Sequence, residues 1–364
     1  MKLRKLHIED YKMFKDFDIS FVDENDEALP IVVLAGVNGS GKTTLLESLY
    51  DVKKGILEIE DIANHIGTSM NGVIDRTVKL SSKDKSFSQI LNYKKSIVYF
   101  KSGIDDTKKV AEEFVKTFYF YLKEKDYRPS EITEHFHNYM KNAFGKLDIG
   151  FKYSHLDKED NVWFSNGENN EYYYTGRDNG KDENIFTIDE LSTGEKTLLS
   201  KIMYLYFKDY KDKVILIDEP ELSLHPSWQN QVLKIYENFA LKNNCQIIIA
   251  THSPHIIGSA KAGYIRLLKK EDDRVVAIEN IDRSYGLEFD KILTDIMGVE
   301  NLRTPAVAKD VRKLWDLLAD ENYESEEYQS LYSKLEKDLG DLDKDMVLAR
   351  LEVAKIKSRN AKSK

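Results

Sequence analysis

Eight consecutive residues, Gly36-Val37-Asn38-Gly39-Ser40-Gly41-Lys42-Thr43, follow the pattern G-x-x-x-x-G-K-[ST] throughout. A loop of this kind turns its backbone N–H groups inward around phosphate oxygens. Its glycines permit torsions that a Cβ would forbid. Gly36, Asn38, Gly39, Ser40 and Gly41 then form the cradle, and Lys42 brings a mobile positive charge to the outer phosphates. Thr43 brings a hydroxyl ligand for Mg²⁺, with Thr44 next in the chain. A helix starting near Lys42 adds its positive dipole end. Far downstream, Val214-Ile215-Leu216-Ile217-Asp218-Glu219 is an apolar strand ending in two carboxylates. Asp218, at the strand tip, can hold Mg²⁺ through water, and Glu219 can take a proton from an attacking water.

Two further groups join these. Leu191-Ser192-Thr193-Gly194-Glu195-Lys196 opens a helix. By itself this reads as an ordinary N-cap. Shortly before the carboxylate strand, the Ser192 hydroxyl and the Gly194 backbone, with Glu195 beside them, also suit a γ-phosphate. His252, in Ala250-Thr251-His252-Ser253-Pro254, follows the next apolar strand. By itself, a histidine there reads as structural.

The elements that must position these groups can be read from the same sequence. Ile31–Leu34, Val214–Ile217 and Gln246–Ala250 are apolar on both faces, as strands buried in a parallel sheet are. Helical patterns at Lys42–Val52, Thr193–Lys208 and Ser227–Lys242 alternate with them, and ligands bind at the carboxyl ends of such strands. Leu3–Glu9 and Phe17–Phe21 alternate apolar and polar residues and predict a smaller antiparallel layer. The fold class expected is therefore α/β, a mixed sheet with a parallel core. Residues 1–101 and 185–285 form a split head, 102–184 an α+β insertion, and 286–364 a helical segment with a basic tail.

The insertion predicts helices at Thr107–Lys125 and Ser130–Phe144 and strands at Gly150–Ser154 and Tyr172–Thr175. Its aromatic residues (Phe118, Tyr119, Phe120, Tyr121, Tyr172, Tyr173, Tyr174) either fill a small core or stack on bases. Leucines at helical spacing mark the last segment, with Gly340 as a helix stop and Asp343 as an N-cap. The tail Lys355–Lys364 reads as a frayed, solvated end that could also touch nucleic acid.

Composition bounds the function. The 364 residues carry a net charge of −9, which argues against a surface coated for nucleic acid but leaves room for a local basic groove. No apolar run approaches the roughly 20 residues a membrane helix needs, and the first residues lack the apolar core of a secretory signal. A single cysteine, Cys245, rules out an intrachain disulfide or a Cys-based zinc cluster within one chain. A reducing, cytoplasmic setting is expected.

Taken together, these motifs resemble ABC-type ATPases of the SMC/RecF/OLD-like branch, over about residues 1–100 and 185–285. LSTGEK resembles that family's signature, and Glu219-Pro220-Glu221-Leu222-Ser223-Leu224-His225-Pro226 resembles the EPE-x-x-LHP segment of OLD-like members. The resemblance implies a head-to-tail homodimer enclosing two ATP molecules. Ser192 and Gly194 of one copy would cap the nucleotide held by the other, and His252 would be the switch histidine. It also implies a basic residue near the nucleotide at Lys12. Gln89 is the nearest residue to a Q-loop glutamine, but it follows no obvious core strand.

Three function classes follow: a DNA-linked or defence-type ATPase with an effector partner, a transporter's nucleotide-binding subunit, and an OLD-type nuclease. Leu191 lies 148 residues after Thr43, long for a transporter subunit and far too short for a chromosome-organising coiled coil. Val275–Asp282 resembles a Toprim strand superficially, but lacks the glycine after its glutamate and reads as an edge hairpin. The helical tail resembles those of Septu-like and retron-linked defence ATPases, in which a separate nuclease, often HNH-type, docks on the ATPase. The alternative for the tail is plain packing on the head.

Overall fold

A computed structural model describes residues 2–51, 78–81, 97–102, 107–145, 147, 149–166, 185–208 and 210–362. Val52, Gln89 and the strand expected at Tyr172–Thr175 lie outside them. The chain divides into two compact units, Met1–Ile292 and Leu293–Lys364.

The first unit is built on a six-stranded sheet in the order β12-β11-β3-β10-β9-β5. Here β3 is Ile31–Ala35, β5 Ile97–Phe100, β9 Val214–Asp218, β10 Gln246–Ala250, β11 Ile265–Glu271 and β12 Arg274–Ile278. All neighbours pair in parallel except β12, which returns antiparallel to β11 at the edge. The Val275–Asp282 stretch is thus an edge hairpin and its continuation, as expected, and Glu279 accepts a hydrogen bond from the Ser20 N–H.

Every residue of β3, β9 and β10 is buried. Successive side chains point to opposite faces. Val32, Leu34, Val214, Leu216, Ile248 and Ala250 form one core with helix α1 (Lys42–Asp51) and with strands β1 and β2 of a small sheet ordered β2-β1-β4. In that sheet β1 is Lys5–Tyr11, β2 Phe14–Ser20 and β4 Val78–Ser81. The opposite face meets helix α5 (Pro226–Lys242) through Val232, Tyr236 and Phe239. Each such Ile, Leu or Val contributes about 1.5–3 kcal/mol by leaving water.

The insertion holds helices α2 (Thr107–Glu124) and α3 (Pro129–Phe144) and a sheet of β6 (Lys152–Leu156), β7 (Val162–Ser165) and β8 (Ile185–Thr187), so its sheet runs past the boundary expected at residue 184 because β8 pairs with β7. The strand expected at Gly150–Ser154 begins two residues later, because Gly150 adopts φ +71° and belongs to the preceding turn. Of the aromatic residues named above, Phe118 and Tyr121 are half-buried, Tyr119 and Phe120 are 37% and 47% exposed, and Tyr172–Tyr174 lie outside the described residues. The buried core is instead Phe114, Phe136, Tyr153 and Phe164.

The helix expected over Thr193–Lys208 is interrupted. Helix α4 (Thr193–Leu198) passes through a π-turn, Leu199–Met203, before Tyr204–Phe207. All five π-turn residues are buried, and Lys201 donates to the Lys101 carbonyl at 2.5 Å. Phe207 then reaches the insertion core, 4.8 Å from Phe114 between ring centroids. A simple apolar period cannot reveal such a turn, since the π-turn shifts the helix register by one residue.

In the second unit, helices α6 (Pro305–Ala319), α7 (Glu326–Leu339) and α8 (Lys344–Lys362) enclose Leu314, Leu318, Leu335, Met346 and Ala349. Gly340 ends α7 with φ +87°, and the Asp343 carboxylate accepts from the Asp345 N–H at 3.0 Å, as an N-cap does. Arg303 bridges Asp343 and Asp345 at 2.8 and 2.7 Å. The tail read as frayed is helical to Lys362, with Arg359 paired to Glu321.

Candidate active site

The phosphate-binding pattern sits between β3 and α1, where the carboxyl edge of the sheet meets a helix start. Gly36 has φ +151°, and a Cβ there would lie 2.6 Å from the Leu268 carbonyl oxygen. Only glycine fits this position. A Cβ on Gly41 would lie 2.7 Å from Met13 Sδ. The β1–β2 turn, which carries Lys12 at φ +54°, therefore packs directly on the loop. Lys12 itself pairs with Glu47 of α1 at 3.6 Å.

Lys42 is 6% exposed, and its ammonium folds back over its own loop, donating to the carbonyls of Gly36 at 2.8 Å and Val37 at 3.0 Å. Burial lowers its pKa, against the opposing pull of Glu219, Glu221 and Asp218. The hydroxyl of Ser40 is buried without a hydrogen-bond partner among the described residues. A cradle with a buried cation and an orphaned hydroxyl is matched to an anion that would satisfy both.

Opposite the loop, Asp218 ends β9. It accepts from Thr43 Oγ1 at 3.0 and 3.2 Å and from Ser102 Oγ at 3.3 Å. Burial raises the pKa of its carboxyl, and the Thr43 hydrogen bond lowers it. Two hydroxyls and a carboxylate are hard oxygen donors, so this set fits Mg²⁺ and would be relieved by its charge.

Glu219 follows in the left-handed region at φ +46°. Its N–H donates to the Ala250 carbonyl at 2.9 Å, which anchors the strained residue to β10. From there its Oε1 accepts from His252 Nδ1 at 3.1 Å. The structure therefore gathers Lys42, Thr43, Asp218, Glu219 and His252 on one sheet edge. Gly39, with φ +80°, and Asn38 complete the loop mouth, and Thr44 continues α1.

The remaining candidates form a group of their own. Ser192 caps α4, accepting from the Glu195 N–H at 3.3 Å, while the Glu195 carboxylate accepts from the Ser192 N–H at 2.8 Å. Such a reciprocal cap leaves other N–H groups of the helix start available. A Cβ on Gly194 would lie 2.8 Å from the Ser223 carbonyl oxygen, so this glycine fixes α4 against the turn after Glu221.

Sequence reading missed Ser102 and the work of Glu221. Ser102 follows β5, and the rule that sites gather at strand carboxyl ends could have pointed to it. Glu221 was visible only as part of a motif.

The family described as "AAA domain, putative AbiEii toxin, Type IV TA system" matches residues 31–258. The Septu protein PtuA of Bacillus thuringiensis is 28% identical over 193 residues, covering 50% of this chain and 46% of that protein. The OLD nuclease of Thermus scotoductus is 34% identical over 110 residues, covering 29% of this chain and 20% of that one. The chain thus matches less than half the length of either relative. Among solved structures, an SMC head bound to the C-winged helix domain of ScpA aligns with 76% of this chain and 97% of its own, at 14% identity and a TM-score of 0.47.

Proposed function

Since the chain belongs to this AAA-domain family, whose match spans residues 31–258, we propose that it hydrolyses ATP to ADP and phosphate in sites shared between two copies. The observation that carries the reading is the convergence of Lys42, Thr43, Asp218, Glu219 and His252 at one sheet edge. Lys42 exchanges two loop carbonyls for phosphate oxygens, and the backbone around Gly36–Gly41 holds the rest of the triphosphate. Thr43 and Asp218 would hold Mg²⁺, which when bound would offset charge on the outer phosphates. Glu219 takes a proton from the attacking water as its oxygen bonds to the γ-phosphorus and the bridging oxygen leaves with ADP. His252 orients Glu219 through their hydrogen bond and stands at the γ-phosphate side.

The two-copy part rests on the signature residues. Ser192 and Glu195 bond to each other and Gly194 leans on Ser223, so the signature's contacts run to its own cap and the following turn. In a head-to-tail dimer, Ser192 and the Gly194 backbone would close the site of the other copy. A mixing experiment tests this. Lys42→Ala and Ser192→Arg chains should each be inactive, yet an equal mixture should recover roughly a quarter of parental turnover. Half of its two-fold dimers would be mixed, each with one intact site. No recovery on mixing removes the shared-site reading.

We further propose a place in a DNA-linked or antiviral defence complex with a separate nuclease effector, a reading motivated by the motifs' resemblance to Septu-like and retron-linked ATPases and by the similarity to a Septu protein. We assign effector docking to the second unit, which exposes Leu342, Leu348 and Leu351 at 83%, 42% and 57%. Deleting the chain after Thr304 should then abolish co-purification with the neighbouring gene's product while ATP binding persists. Equal recovery in both forms would rule out docking there. Among the described residues no helix is long and apolar enough to cross a membrane. A transporter's nucleotide-binding subunit is the less favoured reading because Leu191 lies 148 residues after Thr43, long for such a subunit.

A further inference from the structure

Next to the proposed metal ligand and base stands a third carboxyl that neither role uses. Glu221 is 5% exposed, two residues past Glu219. Its Oε1 accepts three hydrogen bonds: from Thr251 Oγ1 at 2.6 Å, the His252 N–H at 3.0 Å and the Ser253 N–H at 3.2 Å. The same oxygen lies 3.7 Å from His252 Nδ1. Its other oxygen is buried with no hydrogen-bond partner among the described residues, and so is the hydroxyl of Tyr236 on α5. Burial pushes the Glu221 carboxyl above its ordinary range, against the pull of the Thr251 and His252 bonds.

The position of these bonds in the fold explains their use. The Thr251 N–H still donates to the Leu34 carbonyl, so the ladder between β10 and β3 reaches that far. At His252 and Ser253 the ladder has ended; Glu221 receives the His252 N–H and shares the Ser253 N–H with Thr251 Oγ1, which accepts it at 2.9 Å. The backbone held in this way is the one from which the imidazole reaches Glu219 at 3.1 Å. Packing alone would not call for a buried carboxyl with one unpaired oxygen, because such a group is costly to desolvate.

We infer that Glu221 is a positioning residue, which sets His252 and through it Glu219 by gripping the Thr251–Ser253 turn with one oxygen. The inference rests on the ATPase reading of the site. The role asks for an acceptor at this place and not for a charge, so Glu221→Gln retains it and Glu221→Ala removes it. Glu219 behaves in the opposite way, because a proton acceptor cannot be replaced by an amide.

The test uses the full chain and two readouts. Amide exchange at His252 needs no turnover, and Glu221→Ala should speed it at least about tenfold while Glu221→Gln leaves it near parental. In ATP turnover, Glu221→Ala should lower kcat about 10- to 100-fold with KM little changed, and Glu221→Gln should recover most of that loss. In a His252→Ala background, Glu221→Ala should add less than about twofold, since its effect passes through that ring. If Glu221→Ala does not fold, Thr251→Val, which removes one of the three bonds to Glu221 and the Ser253 N–H bond to Thr251 Oγ1, should lower kcat several-fold at constant KM. Two results overturn the proposal: Glu221→Gln as inactive as Glu219→Gln, or unchanged exchange and kcat in Glu221→Ala and Thr251→Val. A parent chain without turnover would reject the ATPase reading, while exchange would still decide whether Glu221 holds the turn.

Discussion

Glu219→Gln should slow ATP hydrolysis by about 10²- to 10⁴-fold, the usual contribution of a general base, while nucleotide affinity stays near parental. At 1.36 kcal/mol per tenfold, that is about 3–5 kcal/mol of barrier. The amide keeps the size of the side chain and an oxygen to accept from His252 Nδ1, so the local geometry survives. Only the capacity to accept the water's proton is lost. Because the chemical step stalls with nucleotide bound, the variant should also accumulate as a dimer with ATP, seen as a doubled mass in light scattering. Phosphate release within a few-fold of the parent would remove Glu219 from the role of base. A stalled, ATP-loaded variant that stayed monomeric at high concentration would remove the shared site.

Lys42→Ala should reduce ATP affinity by about 10- to 150-fold, since a hydrogen bond to a charged group is worth about 1.5–3 kcal/mol. The apo protein should keep its melting temperature or gain slightly. In the free chain the ammonium is 6% exposed and rests on two carbonyls of its own loop, with burial lowering its pKa. Removing it therefore relieves a desolvated charge while leaving those carbonyls without their donor, two effects of opposite sign. Binding and stability should thus separate, with calorimetry reporting the first and thermal unfolding the second. Unchanged affinity would mean that the loop does not hold the nucleotide through this side chain.

The two glutamates of one short motif show how far a sequence can be read. Asp218-Glu219 at the end of an apolar strand announces metal and proton chemistry, because the strand's carboxyl end and the residue types suffice. Glu221 carries no such signal. Its partners, Thr251 to Ser253, lie 30 or more positions away and meet it only because β9 and β10 are neighbours in register, Asp218 beside Ala250. Ser102 is similar: its hydroxyl joins Asp218 across 116 positions through the pairing of β5 with β9.

Helices and strands follow the same division. The insertion's helices at Thr107–Glu124 and Pro129–Phe144 were legible from period alone. The π-turn at Leu199–Met203 was not, because it answers to burial between the sheet and the insertion core, where Phe207 meets Phe114.

By itself, then, the sequence determined the phosphate loop, the carboxylate strand, the α/β class and the helical tail. These depend on residue type and on periods of two or 3.6, which are local properties of a chain. The tertiary structure alone decided that Lys12 pairs with Glu47, that Ser102 joins Asp218, and that Glu221 holds the His252 turn. Those are choices between partners distant in the chain. They depend on which strand ends lie side by side and on which polar groups the packing leaves in need of one another.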